Sequence, residues 1–231
     1  MSFSLDQELQ QTEQGSREIF SMETPTFPDN AMGVFTCIED RWESGSQGLM
    51  RLMEFSVELL KRAVLHGQIG DLGSSAKYIN RSSDFVITGS KLMITFGDIN
   101  SSDYDKFRET RDIRGNPTDR RLVELHVKQK QLTEDLLAIL SKVLEDGDID
   151  SEDEKEIADH VTENTHALNF TKALIGANDA HKAVFGAHKS VCSRAVKKGK
   201  PSIRGNHIED FRNVDFSPLL PKLKHLLKDR I

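Results

Sequence analysis

The sequence predicts a mainly α-helical bundle, and three observations support that fold class. Hydrophobic residues make up 37% of the 231 residues and charged residues 29%, a polar composition that still lies within the range of folded domains. Aromatic residues make up only 6%, whereas β-sandwiches and barrels depend on aromatic and β-branched side chains. Apolar residues recur at three- and four-residue steps in several long segments, as they do on one face of a helix. We expect one main domain with appendages.

The N-terminal segment has a composition unlike the rest of the chain. Residues 1–32 hold six acidic residues and one arginine, with many Gln and Ser and no apolar periodicity. This predicts an acidic extended arm over 1–32, followed by a helical core domain over 33–198 and by a basic linker with a C-terminal amphipathic helix over 199–231. The arm lacks the apolar region of a secretory signal, and no apolar run approaches the roughly 18–20 residues of a membrane span. We expect a cytoplasmic protein, or a virion-internal one if it is viral, with no membrane partner.

A core-facing amphipathic helix is predicted over about residues 49–66. Its apolar residues follow helical spacing: Leu49, Leu52, Met53, Leu60 and Val64. Residues 84–96, DFVITGSKLMITF, set β-branched and aromatic residues on both sides of a Gly-Ser pair. That segment fits a short β-hairpin or, equally, a further buried helix.

An αα-hairpin over about residues 118–174 is the predicted centre of the bundle. Its first helix should follow Gly115-Asn116-Pro117, because Pro is tolerated in the first turn. The apolar stripe of that helix contains Leu122, Leu125, Leu132, Leu136, Ile139 and Val143, with Gln129 as its one polar break. Ser151 and Glu154 form a capping box for the returning helix, whose stripe contains Ile157, Val161 and Leu168. Helices joined by a short loop are usually antiparallel neighbours, which favours the hairpin.

Two further helices are predicted beyond the hairpin. Asn178 or Asp179 would serve as the N-cap of a helix that ends before Gly199-Lys200-Pro201. The C-terminal segment places Leu219, Leu220, Leu223, Leu226 and Leu227 at helical spacing. This last helix is expected to dock on the core or on another subunit.

Charge is segregated along the chain, and this supplies the candidate binding residues. Residues 181–207 contain no acid and seven bases, which form a basic stripe for nucleic acid or an acidic partner: Lys182, Lys189, Arg194, Lys197, Lys198, Lys200 and Arg204. Residues 134–163 contain twelve acids against two lysines, and five of these acids form a candidate acidic partner surface: Asp146, Asp148, Asp150, Glu152 and Asp153. Complementary surfaces of this kind occur where proteins associate.

Several patterns resemble metal or catalytic sites but fail their tests. The acidic segment from Asp146 has Ser151 and Ile157 at the sixth and twelfth positions, where an EF-hand requires Gly and Glu. Glu163 and His166 form a single Glu-x-x-His pair, whereas di-iron bundles need two. The two cysteines, Cys37 and Cys192, are interpreted as buried apolar side chains. No GxGxxG, GxxxxGK[ST], HExxH or GxSxG motif occurs, and no cofactor or catalytic residue is indicated.

Three functional interpretations remain from the sequence. The leading one is a non-enzymatic helical interaction or assembly subunit that uses apolar helix faces and segregated charge, either as a homo-oligomer or with another protein. An alternative is a nucleic-acid-binding or regulatory protein that uses the basic stripe, although no helix-turn-helix pair is evident. The third is an enzyme whose catalytic groups leave no local motif.

Overall fold

A computed structural model describes residues 38–110, 116–145, 154–197 and 215–228. Within these ranges the chain forms seven helices and no strand, so the predicted helical bundle is confirmed. The helices are α1 (Ile38–Gln68), α2 (Leu72–Phe96), α3 (Ser101–Thr110), α4 (Pro117–Glu145), α5 (Glu154–Glu163), α6 (Thr165–Ala195) and α7 (Leu219–Leu227). The predicted acidic arm lies outside the described residues.

The four long helices are packed in the order α4, α1, α2, α6. Helix α1 packs along α2, α2 packs along α6, and α1 also packs along α4. Contact between α4 and α6, the two outer members of this order, is slight. The fourth side of the bundle is therefore an open seam between α4 and α6.

Two glycines allow α1 and α2 to form their tight antiparallel pair. Gly70, with a φ of 82°, ends the turn after α1 in a conformation that favours glycine. Asp71 then caps α2 by accepting a hydrogen bond of 3.0 Å from the Ser74 amide. At the other end of the pair, Phe96 lies where a side chain on Gly45 would be, so only a glycine permits this approach.

The β-hairpin predicted near residues 84–96 is wrong, and the alternative of a buried helix is confirmed. The whole segment lies in α2, where Phe85 is completely buried. Gly89 does not make a turn but lets Leu49 of α1 approach the helix backbone. Ser90 satisfies its hydroxyl by donating to the Val86 carbonyl at 3.0 Å, one turn earlier. Packing thus outweighs the local β-propensity of this segment.

The long helix predicted from about residue 118 is confirmed as α4, but its main partner is α1 rather than the following helix. The predicted polar break of the stripe, Gln129, is one reason why α4 packs against α1. Gln129 is buried and its Nε2 donates to Ser56 Oγ of α1 at 3.1 Å. Ser56 Oγ in turn lies 2.8 Å from Ser82 Oγ of α2, so a buried polar network joins three helices.

The returning segment of the predicted hairpin is two helices instead of one. Helix α5 ends at Glu163, and Asn164 caps α6 by accepting hydrogen bonds from the amides of His166 and Ala167 at 3.0 and 3.2 Å. The Ser151 half of the predicted capping box lies outside the described residues.

No helix begins at Asn178 or Asp179, which contradicts the predicted N-cap. Helix α6 runs through both positions, and Asn178 is buried with its side chain bonded to the chain that precedes α7. Leu220, Leu223 and Leu227 of α7 are completely buried in the main core. This confirms that the C-terminal helix docks on the core, where it packs against α5 and α6. Among the helices described, none is both long and apolar enough to cross a membrane.

Candidate functional site

A cavity of about 260 Å³ lies inside the open seam between α4 and α6. Most of its wall is apolar and comes from all four long helices. Representative lining residues are Trp42, Leu49, Phe85, Phe96, Leu122 and Val191. Ligand-binding sites often lie between the helices of a bundle. The cavity is the candidate functional site of the described chain.

On α4, one stripe of side chains includes the cavity-lining residue His126. Val123, His126, Val127 and Lys130 are spaced at three and four residues, so they lie on one face of the helix. Val123 is 52% exposed and Val127 61% exposed, the two largest values among the large hydrophobic residues described. We call these four residues the α4 lip. The exposure of the two valines shows that no described helix covers them.

A matching stripe borders the cavity on α6. His181, Val184, Phe185 and His188 repeat the same spacing, and all four line the cavity while remaining half-buried. Lys182 and Lys189 each follow a histidine of this stripe, about 100° further around the helix, on its outer side. We call these six residues the α6 lip. An apolar stripe that is left half-buried is typical of a helix that packs against one more element.

Aromatic rings bring the two lips into contact. The imidazoles of His126 and His181 are nearly parallel, with centroids 5.6 Å apart, and His126 also lies 6.1 Å from the ring of Phe185. His181 contacts the rings of Phe185 at 4.8 Å and of Phe216 at 4.3 Å. His181 therefore sits where α4, α6 and the segment before α7 come together.

His181 is uncharged at neutral pH. Burial lowers its pKa from 6.5 to about 4, and repulsion from His126 and Lys130 acts in the same direction. An uncharged imidazole keeps the inner part of the seam compatible with an apolar occupant.

Trp42 marks one end of the cavity. It is the single tryptophan of the chain, and its ring lies 5.3 Å from Phe96 and 5.1 Å from Phe107. Nearby Cys192 is a buried free thiol, as predicted for an apolar side chain, while Cys37 lies outside the described residues. Because Trp42 is half-buried, its fluorescence should report whether water reaches this end of the seam.

Four residues of the predicted basic stripe are described. Lys182 forms an ion pair with Asp215, Arg194 lies 3.0 Å from Asp98, and Lys197 lies 2.5 Å from Asp105. Lys189 is exposed. On the opposite side of α6, four apolar residues are buried: Ala180, Ala187, Val191 and Ala195. The remaining stripe residues, Lys198, Lys200 and Arg204, lie outside the described residues.

The predicted acidic partner surface, Asp146, Asp148, Asp150, Glu152 and Asp153, also lies outside the described residues. The carboxylates that meet the basic stripe are instead Asp98, Asp105 and Asp215, which come from other parts of the chain. Composition alone did not reveal these ion pairs, because each joins two residues that lie far apart in the sequence.

Sequence reasoning singled out only Lys182 and Lys189 of the two lips, as part of the basic stripe, and it missed the α4 lip. The missed signal was the pair Val123 and Val127, which lies off the leucine stripe of the same helix. The cavity also has polar lining groups, among them Asp119 and the hydrogen-bonded Gln129. In the described ranges, no three His, Cys, Asp or Glu side chains are grouped so that they could hold a metal ion.

No protein-family model matches the sequence, and a comparison with curated proteins finds no match.

Proposed function

We propose that this chain is a non-enzymatic helical assembly subunit that associates with further copies of itself through the seam between α4 and α6. The observation that supports the proposal most directly is the incomplete bundle. Helix α6 presents a half-buried apolar stripe to the cavity and α4 carries two exposed valines, yet the two helices touch each other only slightly. Such a gap is filled when an element from another molecule completes the bundle.

The chemistry of the lips suits association better than it suits a reaction. The apolar side chains of the two lips are Val123, Val127, Val184 and Phe185. Val184 and Phe185 line the cavity, with an uncharged His181 beside them, whereas Val123 and Val127 are exposed. Full burial of a Val or Phe side chain contributes about 1.5–3 kcal/mol. The lips thus offer several kcal/mol towards the cost of association, which is about 4–15 kcal/mol, and the occupant must supply the rest.

Nucleic-acid binding by the basic stripe is a second candidate. Lys189 is exposed, and the ion pairs of Arg194 and Lys197 involve side chains that are 44% and 54% exposed. Exposed pairs of this kind contribute only about 0–1 kcal/mol, so a phosphate backbone could compete with the carboxylates.

The proposed function is tested by the mass of the full chain in solution. The chain is first treated with nuclease and then measured by size-exclusion chromatography with light scattering. Its mass should exceed the 26.0 kDa of one chain and should rise with protein concentration. Val184→Trp, which fills the seam, should lower that mass to a monomer's. Ile94→Trp places the same bulk on an exposed position of α2 and should leave the mass unchanged.

A monomeric mass at every concentration would refute the proposal. An oligomer that survives Val184→Trp but is lost with Ile94→Trp would place the interface on α2 instead. Circular dichroism of each variant confirms that the helical fold is retained.

A further inference from the structure

Building on the proposed function, we infer that the element which fills the seam is the acidic N-terminal arm, residues 1–32, of a neighbouring copy. The structure supplies a half-covered apolar seam with a basic α6 lip. The sequence supplies an acidic segment that precedes α1, the helix whose first turns line the cavity. The predicted mode of assembly is therefore arm exchange.

Charge is the first argument for this occupant. Residues 181–197, which include the C-terminal half of α6, contain four bases and no acid, whereas residues 1–32 contain six acids and one base. Three of the four bases already meet carboxylates of their own chain, so among the described residues Lys189 provides the clearest unopposed charge on the α6 lip. Two α6 lips brought together would place Lys189 against like charge. An acidic segment meets attraction at the same position.

Apolar side chains are the second argument. The arm carries Ile19, Phe20, Met22 and Phe27 between its acids at Glu18, Glu23 and Asp29. Aromatic and Met side chains of this kind are the ones that fill pockets in protein interfaces. The cavity wall that would receive them is aromatic at Phe85 and Phe185.

Reach is the third argument. Five residues separate the arm from Ile38, where α1 begins, and Trp42 and Ser46 near the start of α1 line the cavity. The roughly eleven residues from Phe27 to Ile38 span at most about 36 Å. The lining residues of α6, from His181 to Cys192, occupy only about 17 Å of helix. An arm of this length can leave its own subunit and cross the seam of the next.

Arm exchange is a head-to-tail arrangement, because an arm on one copy meets a seam on another. Such arrangements produce rings when the rotation closes and open chains when it does not. This property allows a complementation test with two full-length variants, each of which lacks one half of the interface.

The donor variant keeps its arm and loses its seam through Val184→Trp. The acceptor variant keeps its seam and loses the arm's binding groups through Glu18→Gln, Phe20→Ser and Glu23→Gln. Each variant alone should be monomeric by light scattering, and an equimolar mixture should give a complex of two chains, about twice 26.0 kDa. The wild-type chain carries both halves, so it should form a closed dimer, a larger ring or an open chain of two or more copies.

Charge reversal provides a second donor that does not alter the interior of the seam. Lys130→Glu with Lys189→Glu changes two exposed side chains of the lips and should also abolish self-association. Lys77→Glu with Lys91→Glu makes the same change on exposed positions of α2 and should have no effect.

Failure of the inference is distinguishable from failure of the proposed function. A wild-type oligomer that the seam variant disrupts, with no complex in the donor and acceptor mixture, would retain the seam and overturn the arm. A monomeric wild-type chain whose Trp42 emission shifts on arm substitution would place the arm in its own seam, and this too would overturn exchange between copies.

Discussion

The backbone amide of Phe216 donates a hydrogen bond of 2.9 Å to Oδ1 of Asn178, in the middle of α6. The amide nitrogen of the same side chain, Nδ2, donates to Oδ1 of Asp215 at 2.6 Å. Hydrogen bonds to the Asp215 carboxylate, the larger effect from Asn178 and the smaller from Lys182, hold its pKa below the usual 3.8. A buried asparagine within a helix thus fixes the segment that carries Phe216 onto His181 and leads into α7.

The hydrogen bonds of Asn178 predict how the C-terminal helix is held. Asn178→Ala should destabilise the fold by about 1–3 kcal/mol in urea unfolding, because two polar partners are left without their bonds in a partly buried place. Limited proteolysis should also cut the variant faster ahead of α7. Asn80→Ala, at an exposed position on α2, is the control and should change stability by less than about 0.5 kcal/mol. Equal effects of the two substitutions would show that Asn178 does not anchor this segment.

Leu136 predicts the strength of the α4 packing. Its side chain is completely buried, so Leu136→Ala should cost about 2–5 kcal/mol of unfolding free energy as a large-to-small core change. Val127→Ala, on the exposed lip of the same helix, should cost less than about 0.5 kcal/mol in the monomer. If Leu136→Ala lowers the unfolding free energy by less than about 0.5 kcal/mol, Leu136 does not lie in the packed core.

His181 predicts a pH dependence of stability. Its pKa is about 4 in the folded chain and 6.5 for an ordinary histidine, so the unfolded chain takes up a proton first as the pH falls. Stability from this group should be complete above pH 6.5 and should fall progressively between pH 6.5 and 4. The decrease should be about 1–2 kcal/mol, smaller than the full shift implies because the imidazole is partly exposed.

The matching variant is His181→Gln, which removes the titrating group and keeps a polar side chain. Its unfolding free energy should vary less over the same pH range. An unchanged slope would assign the pH dependence to other groups. The stability that Asp215 contributes is present above pH 3.8 and is lost mainly as the pH falls below that value, because its pKa is lowered in the folded chain. This loss lies mainly outside the range in which His181 titrates.

The basic stripe predicts opposite results for the two candidate functions. If it binds nucleic acid, Lys189→Gln with Lys197→Gln and Lys198→Gln should weaken binding about equally for every sequence. The slope of log K against log salt should become shallower by roughly 0.7–0.9 for each phosphate group that the variant no longer neutralises. If the stripe serves assembly, the triple variant should be indifferent to nucleic acid and should self-associate less. Nucleic-acid binding with an unchanged salt slope would exclude the stripe as the binding surface.

Local pattern predicted the helices well where one face meets the core. The leucine stripe of α4 and the terminal leucines of α7 are examples, because burial of such a stripe depends on spacing alone. Residues 84–96 were ambiguous for the opposite reason. Their β-branched side chains suit a strand, and only the close approach of Leu49 to Gly89, far apart in sequence, shows why a helix forms.

The choice of packing partner and the site were less predictable. Loop length favoured α5 as the neighbour of α4, whereas the bond from Gln129 to Ser56 joins α4 to a helix that begins almost eighty residues earlier. The cavity exists because α4 and α6 remain apart. The distance between two helices that are not neighbours in sequence cannot be predicted from the local pattern of either helix. Val123 and Val127 are the one visible trace of it in the sequence.

The central claim is that copies of the chain associate through the seam, and Trp42 allows both parts of the claim to be measured together. Light scattering and Trp42 fluorescence are recorded over one dilution series of the wild-type chain. Because the single tryptophan lines the seam, filling the seam should exclude water from its ring. The account predicts that emission moves to shorter wavelength over the same concentrations at which the mass rises above 26.0 kDa. A rising mass with unchanged Trp42 emission, or a mass that stays at 26.0 kDa throughout, would contradict it.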